Sequence, residues 1–181
     1  MRPWKQTAST TIVSDTWMHL TADRCELPDG VTLDPYYVIH ERDWVHVLAV
    51  DADGQFVLVR QYRYAADAVC LEFPGGVVDA GEQPLDAARR ELQEETGCTA
   101  AQWQSLGSMF ANPARQVNRV HVFIARDLRQ GTAQPESSED LECIRLPIDE
   151  VPAAIARGEF SQALHIASYY LGLQQLQADR S

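Results

Sequence analysis

Apolar and polar residues alternate in short runs along most of the chain, and three stretches change to a helical spacing. Runs 9–21 (STTIVSDTWMHLT) and 31–41 (VTLDPYYVIHE) read as strands around the turn signal Pro28-Asp29-Gly30. WVHVLAV (44–50) and QFVLVRQYRY (55–64) read as a hairpin across DADG at 51–54. VCLEFP (69–74) is a further strand, running into two glycines. Between 84 and 97 the period becomes helical: Leu85, Ala88 and Leu92 share one face, Pro84 suits the first position, Asp86 the first turn and Gly97 a left-handed stop. Strands are predicted around 103–110, at 119–125 and at 141–147, with a polar loop at 129–140. A short helix follows over 148–158. A longer one covers 161–177, with Leu164, Ala167, Leu171 and Leu176 pointing inward. Mixed strands with a few helices make an α+β or α/β/α layout, with a small N-terminal antiparallel sheet over 1–43 and a main domain over 44–181.

Composition narrows this picture. The chain has 181 residues, 45% hydrophobic and 23% charged, which is the profile of a globular protein with a substantial core. No run approaches 18 apolar residues and MRPWKQTAST lacks a signal peptide's apolar centre, so a cytoplasmic protein without a membrane partner is expected. Cys25, Cys70, Cys98 and Cys143 have no CxxC spacing and read as reduced structural thiols. A net charge of −11 argues against nucleic acid as a partner, because such a chain repels a phosphate backbone. Any anionic substrate therefore needs local cations.

The helix over 84–97 contains a contradiction. Glu91, Glu94 and Glu95 crowd three carboxylates onto neighbouring positions, each like-charge pair costing about 0.2–0.5 kcal/mol. They also sit near the negative pole of the helix. A solvated face is the plain reading. A hard-cation site is the alternative, since Mg²⁺ takes one or two carboxylates together with waters and substrate phosphates. Arg90 can brace a carboxylate, most directly Glu94 at the i,i+4 spacing.

The surrounding residues favour the cation. Gly76, Glu82 and the run Arg90-Glu91-Leu92-Gln93-Glu94-Glu95-Thr96-Gly97-Cys98 are spaced as GX5EX7REUXEEXGU, with U a bulky apolar residue. This stretch resembles the Nudix box at every fixed position, Cys98 being the one soft substitution. The resemblance implies a Nudix-type α/β/α sandwich of mixed sheet with flanking helices. It further implies Mg²⁺ or Mn²⁺ held against a diphosphate by Glu91 and Glu95, with Glu94 as a variable third ligand and the Gly75 carbonyl as a backbone ligand. Gly75 and Gly76 would let the chain approach ion and phosphate closely, and Glu82 and Arg90 would orient the box.

Outside the box, VLVRQYRYAADAVCLEFPGG (57–76) is similar to the branch that hydrolyses ADP-ribose and related nucleoside diphosphate sugars. Pro113, 15 residues beyond Cys98, stands at that branch's spacing. The resemblance implies a homodimer that exchanges its N-terminal sheets. Arg63 is then a candidate for the terminal phosphate, against an exposed strand arginine. Glu72 would accept from the base or brace the glycine segment, and Arg42 would reach the partner subunit's substrate. Trp17, Trp44 and Tyr36 would stack on adenine or pack the dimer. The general base is expected at Glu139, with Glu136 as the alternative. Neither His121, in a strand, nor His165, within the final helix, has a carboxylate or nucleophile partner at readable spacing. The rivals to ADP-ribose hydrolysis are cleavage of GDP-mannose or another nucleotide sugar, and a module that senses ADP-ribose without cleaving it.

Overall fold

The computed structural model describes residues 1–134 and 140–178. The described residues form two compact units, one of residues 1–43 with 110–119 and one of 44–109 with 120–134 and 140–178. In the first, β1 (Lys5–Ser14), β2 (His19–Glu26) and β3 (Thr32–Ile39) pair antiparallel in that order. The run 9–21, expected as one strand, is two. Asp15 breaks it, its carboxylate accepting from the N–H groups of Trp17 at 2.7 Å and Met18 at 2.8 Å, an Asx-type turn that β-branched neighbours conceal. β1 is exposed along its whole length, Ile12 and Val13 included.

The second unit is built on a mixed sheet. β4 (Trp44–Val50), β5 (Gln55–Arg63), β6 (Ala68–Glu72), β7 (Cys98–Phe110), β8 (Arg119–Gln130) and β9 (Leu141–Pro147) lie in the order β6-β5-β4-β8-β7, with β9 on β5. β4 runs parallel to β8 and meets β5 antiparallel only at Ala49–Val57 and Val50–Phe56. Beyond those pairs β5 leaves β4 for β6. Residues 74–77 take its place: Val47 N–H donates to Pro74 O at 2.8 Å and Val45 N–H to Gly76 O at 2.9 Å. The early divergence of the hairpin is what fixes the glycine segment to the sheet.

Among the described residues three α-helices complete the unit: α1 (Pro84–Thr96), α2 (Val151–Ala156) and α3 (Ala163–Ala178). β4 is covered on both faces, so its interior residues are all buried. Val45, Val47 and Ala49 pack with Ala87, Ala88 and Leu92 of α1. His46 and Leu48 face the other way, onto Ser168 and Gly172 of α3. Phe56, Phe73, Phe160 and Tyr169 pack edge to face on that side. The buried face of α3 differs from the expected one: His165, Ser168, Tyr169, Gly172 and Leu176 are buried, Leu164 and Leu171 only partly, and Ala167 is exposed. The helix is turned about one position because its inner face carries polar groups with partners in the sheet. Among the described residues no helix is long and apolar enough to cross a membrane.

Candidate active site

α1 begins at Pro84, has Asp86 in its first turn and ends at Gly97, whose φ of 72° is left-handed and whose N–H donates to Gln93 O. With Ala87, Ala88 and Leu92 seated on the sheet, Glu91 and Glu95 are four residues apart on the face toward the glycine segment. Both are buried, 8% and 5% exposed, and Glu94 is partly exposed. Carboxylates that were candidates for a solvated face are thus turned into the protein.

Arg90 organises them. Its Nε and Nη2 donate to the two oxygens of Glu82 at 3.1 and 3.0 Å, its Nη1 to Glu91 at 2.8 Å and Glu94 at 3.2 Å, and its Nη2 also to Val77 O at 3.0 Å. The bond to Glu82 is bidentate, so the brace expected chiefly for Glu94 is anchored on Glu82. The Arg90 hydrogen bond pulls the Glu82 carboxyl below its ordinary range. One guanidinium serving three carboxylates leaves a formal charge of −2.

Gly75 and Gly76 are small for reasons of space. A Cβ on Gly75 would strike the Val45 carbonyl, and one on Gly76 would strike the Glu91 carboxylate. Gly75 N–H donates to Glu95 Oε2 at 2.9 Å. The close approach expected toward ion and phosphate is here an approach to β4 and to the glutamates themselves.

At the end of β6, Glu72 is 2% exposed. Arg63 binds it bidentately, Nε to Oε1 at 2.9 Å and Nη2 to Oε2, while His165 Nε2 lies 3.4 Å from Oε2. Burial alone would raise the Glu72 carboxyl, but Arg63 and His165 outweigh it and hold it down at about 2. Glu72 is therefore occupied with Arg63 and α3 rather than open to a base. His165 thus has a carboxylate partner 93 residues away, which no readable sequence spacing could show.

His165 stacks on His46 with ring centroids 3.8 Å apart. Burial lowers the pKa of both rings, and that of His46 falls well below the ordinary 6.5. Held neutral, they bind fewer protons than they do in the unfolded chain once the pH drops below about 6.5. Stability must then fall with pH, by up to about 1.4 kcal/mol per unit for each ring that stays neutral. The urea midpoint is expected to decline from pH 7.5 to 5.5, and less steeply in His46→Asn; equal slopes would refute this.

Pro113 is exposed in a turn closed by Arg115 N–H to Asn112 O, and Arg42 is exposed; both belong to the first unit. Tyr36 donates its hydroxyl to Ala114 O at 2.6 Å, Trp17 is 91% exposed, and Trp44 opens β4. Glu136 and Glu139 lie outside the described residues.

Among the described residues no group of three or more His, Cys, Asp and Glu side chains is gathered to hold a metal ion by itself. The oxygen-only set of Glu91, Glu95 and nearby peptide carbonyls still fits a hard cation that completes its shell with waters and substrate phosphates. The residual charge and the burial of the two glutamates point the same way.

The NUDIX domain family matches residues 40–164, and the nucleoside diphosphate sugar hydrolase N-terminal domain matches residues 4–39. The chain is 31% identical over 180 residues to an ADP-ribose pyrophosphatase of Bacillus subtilis, covering 97% of each chain. It is 32% identical over 167 residues to a methanol dehydrogenase activator of Bacillus methanolicus, covering 91% of this chain and 90% of that one. A crystal structure of an ADP compounds hydrolase superposes with a TM-score of 0.87 over 99% of this chain and 97% of that one, at 22% identity.

Proposed function

The chain belongs to the Nudix family, and from that premise we propose that it hydrolyses ADP-ribose to AMP and ribose 5-phosphate with Mg²⁺, or Mn²⁺ in its place. The observation that carries the reading is the buried pair Glu91 and Glu95 against the glycine segment, in a Nudix hydrolase whose N-terminal residues match those of nucleoside diphosphate sugar hydrolases. The similarity to an ADP-ribose pyrophosphatase over nearly the whole chain supports the choice of sugar nucleotide.

A divalent cation held there would supply positive charge against the diphosphate and would make a water more acidic. The chain's own residues do the rest. Glu91 and Glu95 would hold the ion, with Glu94 and the Gly75 carbonyl available to it. Arg90, locked on Glu82, keeps Glu91 and Glu94 in their rotamers. Gly76 leaves room for the Glu91 carboxylate. Arg63 presents the guanidinium edge that Glu72 does not use, and meets a phosphate of the substrate. Glu139, or Glu136 in its place, takes the water's proton. In a cytoplasmic homodimer the exposed apolar residues of the N-terminal sheet, Ile12 and Trp17 among them, are covered by the second copy, and Arg42 reaches that copy's substrate.

One preparation tests these assignments. Purified protein is incubated with Mg²⁺ and either ADP-ribose or GDP-mannose, products are separated, and mass is read by light scattering. Release of AMP from ADP-ribose by a dimer is expected, with Glu139→Gln lowering kcat far more than it raises KM. Preferential cleavage of GDP-mannose would replace the substrate. Binding of ADP-ribose without cleavage would make the protein a sensor, and a monomeric mass would remove Arg42 from the site.

A further inference from the structure

His165 grips the end of β6 with both ring nitrogens. Nδ1 accepts from the Phe73 N–H at 3.2 Å, which leaves Nε2 to carry the proton toward Glu72 Oε2 at 3.4 Å. One nitrogen thus fixes the first peptide leading to Pro74, Gly75 and Gly76. The other fixes the carboxylate that holds Arg63. Its plane is set in turn by His46, whose Nδ1 lies 2.9 Å from Ser168 Oγ, while Ser168 donates to Leu164 O at 2.9 Å. Because that hydroxyl proton is committed to Leu164, Ser168 accepts from His46, and the order of donors runs unbroken from the sheet to α3.

Arg63 needs such a hold. Its guanidinium is about half exposed, and its Nε and Nη2 are turned inward onto Glu72, leaving Nη1 on the outer edge. Glu72, which holds it, closes β6 directly before the glycine segment whose Gly75 N–H donates to Glu95. We infer that His165 is a positioning residue for diphosphate binding, orienting the Arg63 guanidinium through Glu72 while it pins the Phe73 peptide. This rests on the proposed hydrolysis of a nucleoside diphosphate sugar, with Arg63 meeting its phosphate.

On a helix, Asn approximates the Nδ1 position of histidine and Gln the Nε2 position, so the two substitutions separate the two grips. With ADP-ribose and Mg²⁺, His165→Asn is expected to raise KM about tenfold, the scale of one lost hydrogen bond to a charged group, with kcat per folded protein within about twofold. His165→Gln recovers most of the KM. In an Arg63→Ala background His165→Asn adds nothing further, because the two act through one contact. An equal effect in both backgrounds, or an unchanged KM in His165→Asn, overturns the assignment. A readout on the unaltered protein needs neither turnover nor a folded variant: the imidazole ¹⁵N spectrum should show His165 protonated at Nε2. An Nδ1-protonated ring overturns the clamp even if ADP-ribose is cleaved. The Nε2 form in a protein that cleaves no nucleotide sugar would keep the clamp's geometry, refute the hydrolase reading and, with it, the diphosphate role.

Discussion

Replacing Glu95 with glutamine is expected to lower kcat for ADP-ribose by at least about a hundredfold while leaving the metal-free protein as stable as before, or slightly more so. The two halves of this expectation have one cause. Glu95 and Glu91 are an i,i+4 like-charge pair, buried and near the negative pole of α1. Removing one charge relieves a repulsion worth a few tenths of a kcal/mol. The amide oxygen can still accept from the Gly75 N–H, as Glu95 Oε2 does now. The amide's NH₂ then takes the place of the oxygen proposed to hold the cation. A glutamate kept for the fold would behave in the opposite way, costing stability when removed. Thermal unfolding with and without Mg²⁺ and ADP-ribose distinguishes the two. The wild type should gain stability from the pair of ligands and Glu95→Gln should gain little. A variant that keeps its turnover, or melts well below the wild type without metal, would remove Glu95 from the role of ligand.

Much of this site was legible because its signals are local. Pro84, Asp86 and Gly97 punctuate α1 within one short window, and the spacing of Gly76, Glu82, Arg90, Glu91 and Glu95 carries the family resemblance without knowledge of the fold. β4 was legible as an apolar run. What was hidden depends on contacts distant in sequence. The turn at Asp15 lies inside a run with strong strand preference, and a side-chain hydrogen bond makes it. The inner face of α3 was misplaced because His165 and Ser168 read as polar, although Glu72, Phe73 and His46 satisfy them. Arg90 was expected to lean on its helical neighbour, yet Glu82, eight residues back and outside the helix, offers both oxygens at once. Sequence spacing sees a helix's own i,i+4 partners and not a loop folded over it.

The two adjacent glycines separate the same way, and their alanine variants should fail differently. Neither residue is required by a positive φ, so the argument is one of space. At Gly75 the added methyl would meet the backbone of β4, with Val45 C at 3.0 Å and His46 Cα at 3.2 Å as well as the Val45 carbonyl oxygen. Those atoms are held by the parallel pairing of β4 with β8, in which Val45 lies opposite His121 and His46 opposite Val122. Relief requires the glycine segment to lift off the strand, giving up the bonds from Val45 and Val47. Gly75→Ala should therefore cost about 3 kcal/mol of stability, at the upper end of overpacking in a well-packed site. At Gly76 the methyl meets only the end of a side chain, Glu91 Cδ at 2.6 Å and its two oxygens. That carboxylate can swing aside by giving up its bond from Arg90, so Gly76→Ala should cost about 1.5 kcal/mol, less than Gly75→Ala. The swing moves the proposed cation ligand by about 1 Å, and misplacement on that scale costs roughly a hundredfold in rate. Chemical denaturation and kcat measured side by side test the contrast. A Gly76→Ala protein that keeps full activity would show that Glu91 need not stand where it does, while a Gly75→Ala protein of normal stability would show that residues 74–77 are not bound to β4.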